Sequence, residues 1–222
     1  MFLISDCHGN IEGLHRAMHK KGLIDVHGNR QEPRKNQIWS IGDLANCVEN
    51  SFIGDMACLD MVGDIIDGLI VGNHEMPYLD RGNSFSGFHA FPEIQSKIGS
   101  LLENDFLHPA IHWDKTLISH AGLSAQLLSR EDNVEYAMAR IEDHWNSRNF
   151  NYSWFSSVGW ARGGRAKIGG IFWCDFEQEF VPTRFPQIVG HTPKYVRING
   201  NALCIDVGAK DQNTEPFILE LV

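Results

Sequence analysis

The chain is short of basic charge: 19 Lys and Arg stand against 28 Asp and Glu, a formal net charge of −9. An acidic surface repels phosphate backbones, which argues against nonspecific nucleic-acid binding and against attraction to anionic membranes. Cysteine is sparse and unpatterned. Cys7, Cys47, Cys58, Cys174 and Cys204 are odd in number and lack CxxC spacing, which argues against a disulfide framework and fits a reducing, cytoplasmic setting. The start of the chain has no basic segment, and only four apolar residues precede Ser5 and Asp6. That is too short for a signal-peptide core or a membrane span. Internal repeats and low-complexity tracts are absent as well.

What remains is ordinary globular material. With 43% hydrophobic and 21% charged residues over 222 positions, one domain covering 1–222 with a large core is expected. Acidity does not exclude a phosphorylated substrate, because bound divalent cations offset negative charge where carboxylates converge.

Apolar runs and turn signals place a strand over 2–5 and an amphipathic helix over 10–21 with Asn10 as N-cap. A polar loop or hairpin is expected over 25–36, a strand over 37–41, a helix over 51–67 and a strand over 68–71. A helix over 92–104 has Pro92 in its first turn. Paired strands 110–113 and 116–119 turn at Asp114-Lys115, and a helix covers 131–145. Further strands are expected near 187–189, 195–198, 202–205 and 217–221. Strands alternate with helices first and hairpins dominate later, which predicts an α/β sandwich of two packed sheets with helices outside.

Five polar clusters close apolar runs: Asp6-Cys7-His8-Gly9-Asn10, Gly42-Asp43, Gly72-Asn73-His74-Glu75, Ser119-His120-Ala121-Gly122 and Gly190-His191-Thr192-Pro193. The C-terminal ends of strands are where open α/β sheets carry their sites. Singly, each cluster reads as turn chemistry. Together they offer a mixed oxygen and nitrogen set that suits two hard or borderline divalent ions rather than a thiolate zinc site. In this reading Asp6 and His8 hold one ion, Asn73, His120 and His191 hold the other, and the two carboxylate oxygens of Asp43 bridge them. Two ions roughly 3.5–4 Å apart can activate a shared water and clamp a phosphoryl group for in-line attack. His74 would be free to protonate the leaving oxygen, and Glu75 is expected to cap or orient rather than ligate. Cys7 is expected to point away from the site, by strand alternation between Asp6 and His8. His15 and His19 are assigned to solvent, and His108, His112 and His144 to structure. Trp154, Trp160 and Trp173 are expected in the core and cleft wall.

As a set, these motifs resemble the calcineurin-like metallophosphoesterase superfamily. Within it they are most similar to the phosphoprotein phosphatase branch, which includes phage and bacterial serine/threonine phosphatases and diadenosine tetraphosphatases. Trp173-Cys174-Asp175 and Ile205-Asp206-Val207-Gly208-Ala209 are similar to stretches of the same branch. The resemblance implies an αββα sandwich of two mixed sheets and two divalent metal ions, manganese first, with iron or zinc as alternatives. It matches Asp6, His8, Asp43, Asn73, His120 and His191 to metal ligands and His74 to the acid. Ser5 stands where glycine is usual. In the branch's Gly-Asp-x-x-Asp-Arg-Gly motif, Asn46 replaces the aspartate that orients the histidine, and Cys47 replaces the phosphate-gripping arginine. Arg162 or Arg165, in Trp160-Ala161-Arg162-Gly163-Gly164-Arg165, could supply the grip; a solvated basic loop is the alternative.

The leading expectation is therefore a dinuclear phosphoesterase acting on a phosphoprotein, most like a serine/threonine protein phosphatase. The missing arginine motivates a phosphodiesterase or dinucleoside polyphosphate hydrolase acting on a nucleotide as the alternative. The altered second motif motivates a catalytically weak metal-binding interaction module.

Overall fold

The structure is a computed structural model, and it describes residues 1–31, 33, 36–45, 52–80, 88–128, 133–148, 150, 153–192, 194–209 and 213–222. In chain order the elements are β1 (Phe2–Ile4), α1 (Ile11–Lys20), β2 (Ile38–Ser40), α2 (Phe52–Asp60), β3 (Gly68–Ile70) and α3 (Met76–Leu79). There follow α4 (Pro92–Glu103), β4 (Leu107–His108), β5 (Ala110–Trp113), β6 (Thr116–Ser119), α5 (Val134–Asn146) and α6 (Ser153–Ser156). The chain closes with β7 (Gln187–Val189), β8 (Arg197–Asn199), β9 (Ala202–Cys204) and β10 (Ile218–Glu220).

The strands form two five-stranded sheets, ordered β10-β1-β2-β3-β4 and β5-β6-β7-β9-β8. In the first, β1 to β4 run parallel and β10 antiparallel. In the second, β6, β7 and β9 are parallel, with β5 and β8 antiparallel at the edges. Both sheets are therefore mixed, as the resemblance implies. Their side chains alternate between two environments with the strand period of two. Leu3, Trp39, Ile70, Ile118 and Ile188 join one buried cluster between the sheets. Their neighbours Phe2, Ile4, Ile38, Leu69 and Leu117 join a second, larger cluster with Leu14, Cys58, Ile98 and Ile141 of the helices. Helix α1 packs on α2, α2 and α3 pack on α4, and α5 packs on β5 and β6. Both faces of the inner strands β1, β2, β3 and β7 are thus covered, and all their residues are buried, which is why these stretches read as apolar runs.

Several boundaries differ from the expectation. The helix expected over 51–67 ends at Asp60, because Gly63 at φ +101° turns the chain and its N–H bonds Ile66 O, feeding β3. Ile65 and Ile66 extend the apolar period without extending the helix. Strand β4 has two residues and carries no usable pattern, yet it pairs with β3. Strand β8 lies at 197–199 rather than 195–198. Helix α5 starts at Val134, capped by Asn133, whose side chain accepts from Tyr136 N; residues 131 and 132 lie outside the described residues. No helix among the described residues is long and apolar enough to cross a membrane.

Candidate metal centre

Strands β1, β2 and β3 end in the first three polar clusters, and β6 and β7 end in the other two, so the sandwich brings five chain reversals to one edge. Main-chain bonds lock the first two together: Cys7 and His8 donate to Asp43 O, at 3.2 and 2.8 Å, and Gly9 donates to Leu44 O at 2.8 Å. Chain reversal this tight puts three side-chain-bearing residues in the left-handed region: His8 at φ +48°, Asp43 at +50° and His191 at +67°. Such backbone is rare for anything but glycine, asparagine and aspartate, and persists where its surroundings impose it. Cys7, between Asp6 and His8, packs in the core cluster and is absent from the groups of ligating atoms. Its thiol is buried, 3.8 Å from both Leu44 O and Cys58 Sγ.

Glu75 organises the second and third reversals. Its buried carboxylate accepts from Asp43 N (2.9 Å), Ala45 N (3.0 Å) and Gly72 N (2.9 Å). That fixes the peptide around Asp43 and leaves the Asp43 side chain to the centre. The close approach requires glycine at 72, where a Cβ would collide with Asp43 Oδ1.

Asp43 is the hub. Its Oδ1 accepts from His74 N at 3.0 Å. Its Oδ2 lies 3.6 Å from His8 Nε2, 3.8 Å from His74 Nε2 and 3.4 Å from His120 Nε2. Two groups of metal-ligating atoms, each with its atoms within 4.8 Å of one another, share this residue: His8, Asp43 and His74, and Asp43, His120 and His191. His74, expected as the acid, therefore stands within ligating reach. Its ring meets that of His8 edge-on at 4.6 Å.

Whether these residues fit a cation can be tested on their hydrogen bonds. His120 Nδ1 lies 3.0 Å from Ile41 O and donates to it. Burial lowers the His120 pKa from 6.5 to about 3, so the ring is neutral and its Nε2 carries a lone pair. That lone pair faces Asn73 Oδ1 at 2.9 Å and Asp43 Oδ2 at 3.4 Å. His120 Nε2, Asn73 Oδ1 and the Asp43 carboxylate converge on one point, an arrangement a cation resolves. Asp6 Oδ1 and His191 Nε2 are likewise buried without a hydrogen-bond partner among the described residues. The other oxygen of Asp6 accepts from His191 N at 3.0 Å, joining the first and last clusters.

The electrostatics agree. Asp6 is raised well above the ordinary carboxylate value by burial, then by the charges of Asp206 and Asp43. Asp43 is raised well above it by burial and by Glu75. His191 is held well below its ordinary value by burial, then by Arg162. Buried carboxylates short of compensating charge, beside imidazoles kept neutral, are what divalent cations require.

The two arginines separate. Arg162 pairs through Nε with Asp175 Oδ2 at 3.1 Å, and its Nη2 donates to His191 O (3.1 Å) and Thr192 Oγ1 (3.0 Å). Arg165 is exposed. Asn46 and Cys47 lie outside the described residues. Trp173 is buried and meets His191 edge-on at 5.9 Å, whereas Trp160 is 54% exposed, contrary to the expected core or wall position; the side chain of Trp154 is outside the described residues. Asp206, buried beside Asp6, carried no assigned role in the sequence reading, although it follows the apolar run of β9 just as the five clusters follow theirs.

The sequence model of the calcineurin-like phosphoesterase family matches residues 2–204. The chain belongs to the calcineurin-like phosphoesterase family. It is accordingly a metal-dependent phosphoesterase, a hydrolase. No curated protein matches the chain. Among solved structures, a cold-active protein-tyrosine phosphatase of a psychrophilic Shewanella species aligns with a TM-score of 0.64 at 19% identity, covering 99% of this chain and 74% of that one. A putative diadenosine tetraphosphatase aligns at 0.48 and 14% identity, covering 94% of this chain and 83% of that one. A serine/threonine phosphatase from Saccharomyces cerevisiae aligns at 0.48 and 14% identity, covering 100% and 79%. At 19% identity the likeness to the first of these is one of fold.

Proposed function

We propose that this phosphoesterase is a dinuclear phosphomonoesterase whose substrate is a phosphorylated protein side chain. The observation that carries the reading is Asp43, whose carboxylate belongs to both groups of ligating atoms; one shared carboxylate between two ligand sets is the arrangement a two-ion site needs. Asp6 and His8 would hold the first ion, and Asn73, His120 and His191 the second. The ions, when bound, supply the Lewis acidity that activates water and offsets charge on the phosphoryl oxygens. Manganese is the proposed metal, with iron and zinc as alternatives that the mixed oxygen and nitrogen donors also accept.

The protein's own groups supply the rest. His74, half-buried at the edge of the centre, protonates the leaving oxygen, an assistance worth about 10²–10⁴-fold. Arg162 presents a guanidinium beside His191 and Thr192. Its charge reaches the centre, lowering the pKa of Asp43, His120 and His191. A guanidinium fork matches the oxygens of a terminal phosphate. The motive for a diester substrate was the lack of an arginine at position 47, and Arg162 supplies a cation from another loop. Convergence of all the proposed ligands at one edge weighs against a non-catalytic module. Buried thiols at Cys7, Cys58, Cys174 and Cys204 fit the proposed cytoplasmic setting.

The test is a rate comparison on metal-stripped protein reloaded with Mn²⁺, Fe²⁺ or Zn²⁺. Aryl monophosphate and phosphopeptides should be hydrolysed faster than the bis-aryl diester and dinucleoside polyphosphates. A clear preference for either of the latter two would overturn the substrate class, and full activity with a single bound ion would overturn the dinuclear reading.

A further inference from the structure

The loop that carries Arg162 is held by a carboxylate outside the two groups of possible metal ligands. Glu179 is 4% exposed. Its Oε1 accepts from Ala161 N at 2.7 Å, and its Oε2 accepts from Gly169 N at 2.9 Å and Asp175 N at 3.3 Å. These three donors come from the residue next to Arg162, from the far end of the same glycine-rich loop, and from the residue that ion-pairs with Arg162. The fit is tight enough that a Cβ on Gly159 would collide with the Glu179 carboxylate. The segment holding Glu179 is itself closed on Asp175, whose carbonyl accepts from Glu179 N and Phe180 N, both at 3.0 Å.

The Arg162 head is fixed by a matching set. Asp175 Oδ1 accepts from Glu177 N and Gln178 N, at 2.9 and 3.0 Å, and leaves Oδ2 for Arg162. Thr192 Oγ1 accepts from both Arg162 Nη2 and Phe176 N, each at 3.0 Å. A buried carboxylate is retained only where its lone pairs are satisfied, and here they are satisfied by the main chain that determines where Arg162 points. Glu179 is not among the groups of possible metal ligands.

We infer that Glu179 is a positioning residue for the reaction: it holds the 159–169 loop so that Arg162 faces the phosphoryl oxygens. This rests on the reading of Arg162 as the phosphate grip. A misplacement of an ångström in such a group lowers turnover by up to about a hundredfold, whereas the metal ligands should be undisturbed.

The test is a double-mutant cycle on the metal-loaded enzyme with Arg162→Ala, Glu179→Gln and the two combined. It reads kcat and KM on an aryl monophosphate, bound metal by elemental analysis, and Tm. Arg162→Ala should lower kcat/KM by about tenfold or more. Glu179→Gln should lower it by a similar order with bound metal unchanged, and should add little in the Arg162→Ala background. Ala161→Pro, which removes the N–H that Glu179 accepts, should reproduce the effect if Glu179→Gln does not fold. Undiminished loss from Glu179→Gln in the Arg162→Ala background, or loss of metal with it, would overturn the positioning role while leaving the Arg162 reading intact. Unchanged kcat/KM in Arg162→Ala alone would overturn both.

Discussion

At the scale of single residues, His8, Asp43 and His191 hold left-handed backbone at φ +48°, +50° and +67°, each at a cost of about 1–3 kcal/mol that the surrounding fold has to offset. Asp43 adds a second cost, because its buried carboxylate is raised well above its ordinary pKa. Asp43→Asn removes that charge. The metal-free variant should therefore melt no lower than the metal-free parent at neutral pH, while gaining little Tm from Mn²⁺ and losing activity. Calorimetry with and without Mn²⁺ checks this, and full activity or a wild-type metal response in the variant would contradict the hub role. His74→Asn should separate the two roles within that residue's reach. As the acid it would retain two ions per chain and lose roughly 10²–10⁴-fold in kcat; loss of an ion with the activity would make it a ligand.

At the scale of elements, the site consists of strand ends held close by glycines. Gly72→Ala would push a Cβ into Asp43, and overpacking of this kind costs about 1–3 kcal/mol. Urea denaturation should show that loss together with weaker metal binding; unchanged stability and affinity would mean the reversal is looser than described. The same elements explain what the sequence makes readable. Apolar runs closed by Asp6, Asp43, Asn73, His120 and His191 could be recognised because strand burial on both faces leaves polar residues only at the ends. The end of α2 could not, because Gly63 turns a chain whose apolar period continues through Ile65 and Ile66. The choice between Arg162 and Arg165 was equally hidden. Both lie in one glycine-rich stretch, and what distinguishes them is Asp175 and Thr192, which bond the Arg162 side chain, and Glu179, which bonds Ala161 N beside it; these lie 13 to 30 positions beyond Arg162 and reach it only in the fold.

At the scale of the whole molecule, burial shifts the titration of Asp6, Asp43 and His120 in opposite directions, and these shifts make stability depend on pH. The His120 pKa falls from 6.5 to about 3 on folding, so between these values the unfolded chain binds a proton that the folded chain refuses. Its contribution is present above about pH 6.5 and is lost as pH falls towards 3. Asp6 and Asp43 behave oppositely: their folded pKa values are raised, so their contribution is present below the unfolded value and is lost as pH rises through the folded one. Divalent cations held by these carboxylates would relieve that second loss. The Tm gained on adding Mn²⁺ to chelated protein should thus be largest at neutral pH and shrink on acidification, as protons displace cations from the carboxylates. A Tm gain that grew as pH fell would contradict the assignment of Asp6 and Asp43 as ligands.

The most direct measurement is crystallographic anomalous scattering from Mn²⁺-loaded protein, combined with elemental analysis in solution. The account predicts two ions per chain, both bonded to the Asp43 carboxylate, one with Asp6 and His8 and the other with Asn73, His120 and His191. A single ion, or a pair that Asp43 does not join, would contradict it.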